Sequence, residues 1–190
     1  HNFFSLGTLA AIWEVVRESL LHAKIFRRNP LLGFMHMSLA FGWFLLIVVG
    51  WIETIVYLGF EMIPLQGHVF FKYFMPLNGI EAHIPLFEQL MDALLLLVLT
   101  GVALAWFKRI ASKAMGMRRA TKHVLFDRIA LSALWFIFPA RLVAESLTAA
   151  LYGGNGFLTG TLGGLIGELL PTEVLTTLYE PAWWSYSSAL

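Results

Sequence analysis

The 190-residue chain contains no cysteine and few charged residues. Without cysteine it can form no disulfide, no thiolate-ligated iron–sulfur cluster and no C-x-x-C-H attachment for a covalent haem. Charged residues make up 13% of the chain, whereas a soluble domain has roughly 25%. Hydrophobic residues make up 58%, and the mean hydropathy is +0.73. This composition predicts an all-α transmembrane helical bundle with the lipid bilayer as its main partner, and no nucleic acid partner is expected.

Three apolar runs are long enough to cross a bilayer, namely Leu31–Leu58, Leu86–Phe107 and Asp127–Tyr152. The first 21 residues of the first run alone give ~31 Å of helix, against a hydrocarbon core of ~30 Å. A fourth run begins at Pro181, where Trp183 and Trp184 suit the aromatic belt of a membrane interface. The chain opens with His1 and stops at Leu190 inside this run, so we expect it to be a piece of a longer protein.

Lysine and arginine are divided unevenly between the two sides of these spans. Four precede the first span, seven lie between the second span and the first turn of the third, and Lys72 alone lies between the first and the second. The first two groups are Arg17, Lys24, Arg27 and Arg28, and Lys108, Arg109, Lys113, Arg118, Arg119, Lys122 and Arg128. The positive-inside rule then places residues 1–30 and 108–128 in the cytoplasm, in a multi-pass protein of the cytoplasmic (inner) membrane.

The segments around the spans are less regular. Residues 1–30 are predicted to be a cytoplasmic or interfacial segment, with one amphipathic helix over Thr8–Phe26, and residues 31–190 are predicted to form the transmembrane domain. Gly67–Pro85 reads as an aromatic-rich outer loop. Gly153–Pro171 is a glycine-rich outer segment that is predicted to be too short and too flexible to span.

His36 stands out in the first span, because an ionisable side chain in a membrane is costly and usually faces the interior of a bundle. Gly33 and Ala40 lie three residues before it and four after it, so this face of the helix lacks bulk above and below the imidazole. Such clearance suits a haem b, with His36 as its metal ligand and with Gly33 and Ala40 as cofactor contacts. The other interpretation is a histidine that is hydrogen-bonded to a neighbouring helix, with small residues there for close packing.

A second axial imidazole is not evident within the spans. Neither the second nor the third span contains histidine. We interpret the remaining candidates as surface residues, namely His22, His68, His83 and His123. The second ligand is therefore expected beyond Leu190.

Polar residues also cluster toward the outer ends of the spans. They are Glu53 in the first, Glu88 and Asp92 in the second, and Arg141 and Glu145 in the third. Arg141 and Glu145 are one helical turn apart and are predicted to pair, and the group is explained equally well by an intramembrane ion-pair network. Where carboxylates outnumber the nearby cations, an unpaired carboxylic acid can also hold a proton in a part of the membrane that excludes water. We therefore predict that Asp92 or Glu53 handles quinone-coupled protons, that Arg141 orients a quinone oxygen, and that Glu145 belongs to the same site.

Three stretches carry a resemblance to a known family. They are ESLLHAKIFRRNPLLGFMHMSLAFGWFLL, WFKRIASKAMGMRRATKHVLFDRIALSALWFIFPARLVAES and PAWWSYSSAL. Together they resemble the membrane part of fused (Fe–S)-binding reductases, which is similar to the nitrate reductase gamma subunit and to the haem subunit of membrane-bound heterodisulfide reductase. The resemblance runs from about Trp13 to Leu190, and the first stretch is the most specific. It implies a b-type haem in the bundle, with His36 matching the family's first-helix histidine, a quinone on one side and iron–sulfur clusters on the other.

The expected function is electron transfer between menaquinone or ubiquinone and a cytoplasmic iron–sulfur domain or subunit, through haem b. The whole protein would then be a quinone-linked respiratory oxidoreductase, in which this segment alone is not catalytic and carries no Fe–S cluster. A transporter or channel subunit with an intramembrane acidic and arginine ion site is the alternative from another class, and a structural anchor is a third. Broken helices and inverted repeats would favour transport, and only Pro139 points that way.

Overall fold

The computed structural model describes residues 6–58, 84–114 and 125–189. Within these ranges the chain forms seven α-helices, one π-helical turn at Val16–Leu20 and no strand. The helices are α1 (Leu6–Val15), α2 (Ala23–Arg28), α3 (Pro30–Leu58), α4 (Pro85–Ala114), α5 (Leu125–Tyr152), α6 (Thr159–Leu169) and α7 (Thr172–Ala189). The predicted all-α fold is confirmed. Most of the predicted outer loop Gly67–Pro85, much of the basic loop, and His68, His83 and His123 lie outside the described residues.

Three of the described helices are long and apolar enough to cross a membrane, over Pro30–Glu53, Pro85–Ser112 and Ser132–Tyr152. Large apolar side chains remain exposed along each of them, such as Phe44 in α3, Trp106 in α4 and Phe136 in α5. A soluble protein would bury such a surface, whereas lipid solvates it. The three predicted spans and the membrane character of the chain are therefore confirmed.

Two prolines mark where the first two spans begin. Pro30 and Pro85 are the first residues of α3 and α4, where the preset φ of proline suits a helix and its missing N–H is not needed. Asn29, in the extended conformation that a following proline favours, caps α3 by accepting a hydrogen bond from the Leu32 amide at 3.0 Å. The Asn-Pro pair thus ends α2 and starts α3.

The first compact unit contains residues 6–45 and 97–114. Here α3 and α4 approach closely at two glycines. A Cβ on Gly101 would overlap Ser38 Oγ and lie 3.0 Å from Leu39 Cγ, and one on Gly42 would lie 2.6 Å from Val98 Cγ2. Ser38 is fully buried at this crossing and donates to the Met35 carbonyl at 3.0 Å. Close approach through small residues is what stabilises helix pairs in lipid.

The second compact unit contains residues 46–58, 84–96 and 125–189, with α5 packed against both α6 and α7. The helix α7 runs antiparallel to α5, because Tyr179 contacts Tyr152 while Tyr186, later in the chain, contacts Arg141. The helix α6 crosses α5 at Gly163, where a Cβ would lie 2.7 Å from Ala149 Cβ. The close crossing of α6 and α5 therefore depends on a residue without a side chain.

The glycine-rich segment Gly153–Pro171 is ordered into a helix over much of its length, so the prediction of a flexible segment is wrong there. Its 11-residue helix α6 is nevertheless too short to span, as predicted. Gly160, Gly163 and Gly167 recur every three or four residues, which puts them on one face of α6. Contact with α5 along this face offsets the low helix propensity of glycine.

The fourth helix begins earlier than predicted. The helix α7 starts at Thr172, nine residues before Pro181. Trp183 consequently lies beside Thr148, where it is 2% exposed and its Nε1 donates to Thr148 Oγ1 at 3.0 Å. The prediction that Trp183 belongs to an interfacial aromatic belt is wrong, whereas Trp184 is exposed and suits that place.

The predicted single helix over Thr8–Phe26 is wrong in detail, because a π-helical turn and a left-handed residue at His22 separate α1 from α2. The helix α1 leaves large apolar side chains exposed, including Leu9, Ile12 and Trp13. Its location at the membrane interface stays a prediction.

The uneven charge distribution leads to a test of topology. Reporter fusions after Gly116, in the basic loop, and after Gly154, beyond α5, are expected to lie in opposite compartments because one span separates them. A reporter that is active only in the cytoplasm should be active at Gly116 and inactive at Gly154. Activity at both positions, or at neither, would show that α5 does not cross the membrane.

Candidate functional sites

The imidazole of His36 lies beside a second imidazole, that of His22. Their ring centroids are 5.5 Å apart, and the two ring planes are stacked within 15° of parallel. Both residues belong to the first compact unit, and both side chains are partly buried. His22 was predicted to be a surface residue, whereas in the structure it lies beside the predicted ligand.

The backbone around His22 explains how two histidines fourteen positions apart meet. His22 adopts φ 50° and ψ 41°, in the left-handed region, and turns the chain between the π-helical turn and α2. The helix α2 then lies against the start of α3, so that the Phe26 backbone occupies the space next to Gly33. The Asn29-Pro30 dipeptide is a sequence signal for the following turn, between α2 and α3.

The clearance expected at Gly33 for a macrocycle is not there. A Cβ on Gly33 would lie 2.6 Å from Phe26 Cα and 2.7 Å from Phe26 Cγ. The absence of a side chain at Gly33 therefore serves the packing of α2 on α3, which is the alternative that the sequence left open, and the prediction of open space is wrong. Ala40 is half-buried, and its predicted contact with a cofactor stays a prediction.

One cationic side chain, that of Lys108 near the C-terminal end of α4, acts electrostatically on His36 within the same unit. A positive charge beside an imidazole repels a bare metal cation. Among the described residues no group of three or more His, Asp or Glu is arranged to hold a metal ion.

The second compact unit holds a buried polar cluster around Arg141. Its Nη2 donates to Glu145 Oε1 at 3.3 Å, which confirms the predicted pair one turn apart on α5. Its Nη1 donates to the Tyr186 hydroxyl at 3.3 Å, and its guanidinium carbon lies 5.7 Å from the centroid of the Tyr186 ring. Both members of the ion pair are little exposed, at 13% and 12%, so water screens the pair weakly.

Glu53 and Tyr186 complete the Arg141 cluster. Glu53 is 1% exposed, and its charge acts on Arg141. Tyr186 is also buried and packs edge-on against Trp183 at 5.8 Å. Sequence reasoning missed Tyr186, and the only available signal was its place in the aromatic run that begins at Trp183. The cluster thus combines one guanidinium, two carboxylates and one phenol in an apolar surrounding.

The carboxylate of Asp92 binds the N-terminus of α6, a role that the sequence did not predict. One of its carboxylate oxygens accepts hydrogen bonds from the amides of Leu158 and Thr159 at 2.7 and 3.0 Å, and the other accepts from Thr159 Oγ1 at 2.8 Å. These donors belong to the first turn of α6, so Asp92 caps that helix from α4. Both carboxylate oxygens of Asp92 therefore have hydrogen-bond donors at a helix N-terminus, which the sequence did not predict.

The residues one turn before Asp92 on α4 hold the same segment. Glu88 accepts a hydrogen bond from the Asn155 amide, and Gln89 donates one to the Asn155 carbonyl. The sequence placed Glu88 and Asp92 on one helix face, and both side chains do reach the loop between α5 and α6. This arrangement fastens the loop to α4 and accounts for both carboxylates without a catalytic role.

No family, no curated protein and no solved structure matches the chain.

Proposed function

We propose that this chain is the membrane part of an electron-transfer protein, which passes electrons between a membrane quinone and a cytoplasmic iron–sulfur partner through a b-type haem. The observation that carries the proposal is the position of His36 inside a helix that is long and apolar enough to span a membrane. Its imidazole stacks on that of His22, and the Lys108 ammonium acts on it electrostatically. Histidine nitrogen is the usual axial ligand of haem iron in such proteins. The resemblance of the first span to the haem domains of fused (Fe–S)-binding reductases supports the same assignment.

The residues around His36 fit a haem in their donor chemistry. The His36 side chain would supply an axial nitrogen, and the Lys108 ammonium suits the carboxylates at the haem edge. The haem, when bound, supplies a one-electron carrier. Gly33 would not contact it, because Phe26 occupies that face of α3. The chain has no cysteine, so the iron–sulfur clusters would belong to the partner.

The Arg141 cluster is the part of the chain that we assign to the quinone, whether menaquinone or ubiquinone. Oxidation of a quinol releases protons together with electrons, and a site for it needs a donor to hold the quinone oxygen and bases to take protons. The guanidinium of Arg141 can hold the oxygen, and Glu53 and Glu145 are the carboxylates beside it that can accept protons. We do not assign Asp92 to the quinone site, because its carboxylate oxygens accept hydrogen bonds from the start of α6.

Transport has less support than electron transfer. Transporters use the free N-termini of broken helices to bind anionic groups. The described short helix α6 has its N-terminal amides bound by Asp92, so this end offers no such site. Pro139 lies within a helix that continues from Leu125 to Tyr152 and does not end it.

Arg141→Gln tests the quinone assignment. In membranes that contain the protein, quinol-driven reduction of the haem is expected to be at least about tenfold slower, because a charge-assisted hydrogen bond to the quinone is lost. Chemical reduction with dithionite should give the same haem spectrum as the parent. Arg109→Gln, on an exposed arginine in α4, is the matched control and should reduce at the parent rate. Equal quinol-driven rates in both variants would remove Arg141 from the quinone site.

A further inference from the structure

The backbone of His22 is held in a conformation that is unfavourable for its residue type. Among the described residues it is the only one other than glycine with a positive φ. Such a conformation persists where the surrounding structure enforces it, and it is found preferentially at functional sites. Here the enforcing contact is the close packing of α2 on α3 at Phe26 and Gly33. The strain therefore places the His22 side chain at a fixed position beside α3.

The ring of His22 is held by two further contacts. Its Nδ1 lies 3.3 Å from the Leu20 carbonyl, which favours the tautomer with hydrogen on Nδ1. Its face stacks on the ring of His36 at 5.5 Å, within the range of offset-stacked aromatic pairs. A stacked neighbour covers one face of the His36 ring and restricts rotation of that ring about its Cβ–Cγ bond.

We infer that His22 is a positioning residue for His36: its stacked ring fixes the plane in which the His36 imidazole presents its nitrogen to a bound haem. This inference rests on the proposed ligation of haem by His36. Stacked rings turn their faces, rather than their nitrogens, toward each other, so His22 in this arrangement does not lie across an iron from His36. Outer residues that orient a ligating histidine tune the bound metal centre. Removal of His22 should therefore change the properties of the haem and not its presence.

His22→Gly and His22→Phe test the inference on the membrane-embedded protein. Glycine removes the ring and also relieves the left-handed strain, so the fold should be kept. Phenylalanine keeps a stacked ring without nitrogen. We expect both variants to retain haem, His22→Gly to shift the midpoint potential and the EPR signature of the haem, and His22→Phe to restore most of both. Lys24→Ala, at an exposed position on α2, should match the parent.

Two results would overturn the inference. An unchanged potential and EPR signature in His22→Gly would show that the stacked ring has no effect on the ligand. A change from low-spin to high-spin haem in both variants would show that His22 is itself a ligand. His36→Ala separates these outcomes from a failure of the proposed function: if that variant keeps its haem, the proposed function fails, whereas if it loses haem while His22→Gly resembles the parent, only the role of His22 fails.

Discussion

Asp92→Ala is expected to lower the free energy of unfolding by about 3 kcal/mol, because it leaves the first turn of α6 without its cap. The carboxylate accepts three hydrogen bonds from Leu158 and Thr159 and is 3% exposed. A helix cap contributes about 0.5–2 kcal/mol and a hydrogen bond to a charged group about 1.5–3 kcal/mol, and the three bonds here are not independent. Denaturation in detergent micelles measures the loss, and hydrogen exchange at the Leu158 and Thr159 amides locates it.

Two variants sharpen the Asp92 experiment. Asp92→Asn keeps a carbonyl oxygen as acceptor and should lose less stability than Asp92→Ala. Glu173→Ala removes an exposed carboxylate from the first turn of α7 and should stay within about 0.5 kcal/mol of the parent. If Asp92→Ala is as stable as this control and its amides exchange at the parent rate, Asp92 does not cap α6, and its predicted role in proton handling would return.

The spans could be predicted from the sequence because their signals are local. Apolar length defines a span in lipid, and Pro30 and Pro85 mark helix starts by their own covalent geometry. The Arg141–Glu145 pair was predictable for the same reason, since residues four apart on a helix are neighbours whatever surrounds them. The helix over Thr159–Leu169 was missed because its glycines disfavour a helix in isolation. Contact with α5 and the cap by Asp92 stabilise that helix.

The candidate sites were only partly predictable, because several of their contacts join residues far apart in the chain. Asp92 meets its partners 66 and 67 positions later, and no periodicity of α4 indicates that a helix N-terminus lies there. Tyr186 reaches Arg141 from a helix that begins nine residues earlier than the apolar pattern suggested. His22 looked like a surface residue because nothing in its own segment predicts that the chain turns there in a left-handed conformation.

His36→Ala is expected to abolish the haem. The imidazole is the only donor that the described part of the first span offers in a position flanked by a second imidazole and a cation, and alanine has no lone pair to replace it. The effect should be complete, since a haem that is not covalently attached depends on its axial ligands to stay bound in an apolar site. Met37→Leu, one position along α3, is a volume-conserving control and should keep the haem of the parent.

The most direct test of the central proposal is the reduced-minus-oxidised absorbance spectrum of membranes that contain the parent, His36→Ala or Met37→Leu protein at equal abundance. Electron transfer through a haem held by His36 predicts a b-type spectrum in the parent and in Met37→Leu, and none in His36→Ala. A spectrum of equal amplitude in His36→Ala, or none in the parent, would contradict it.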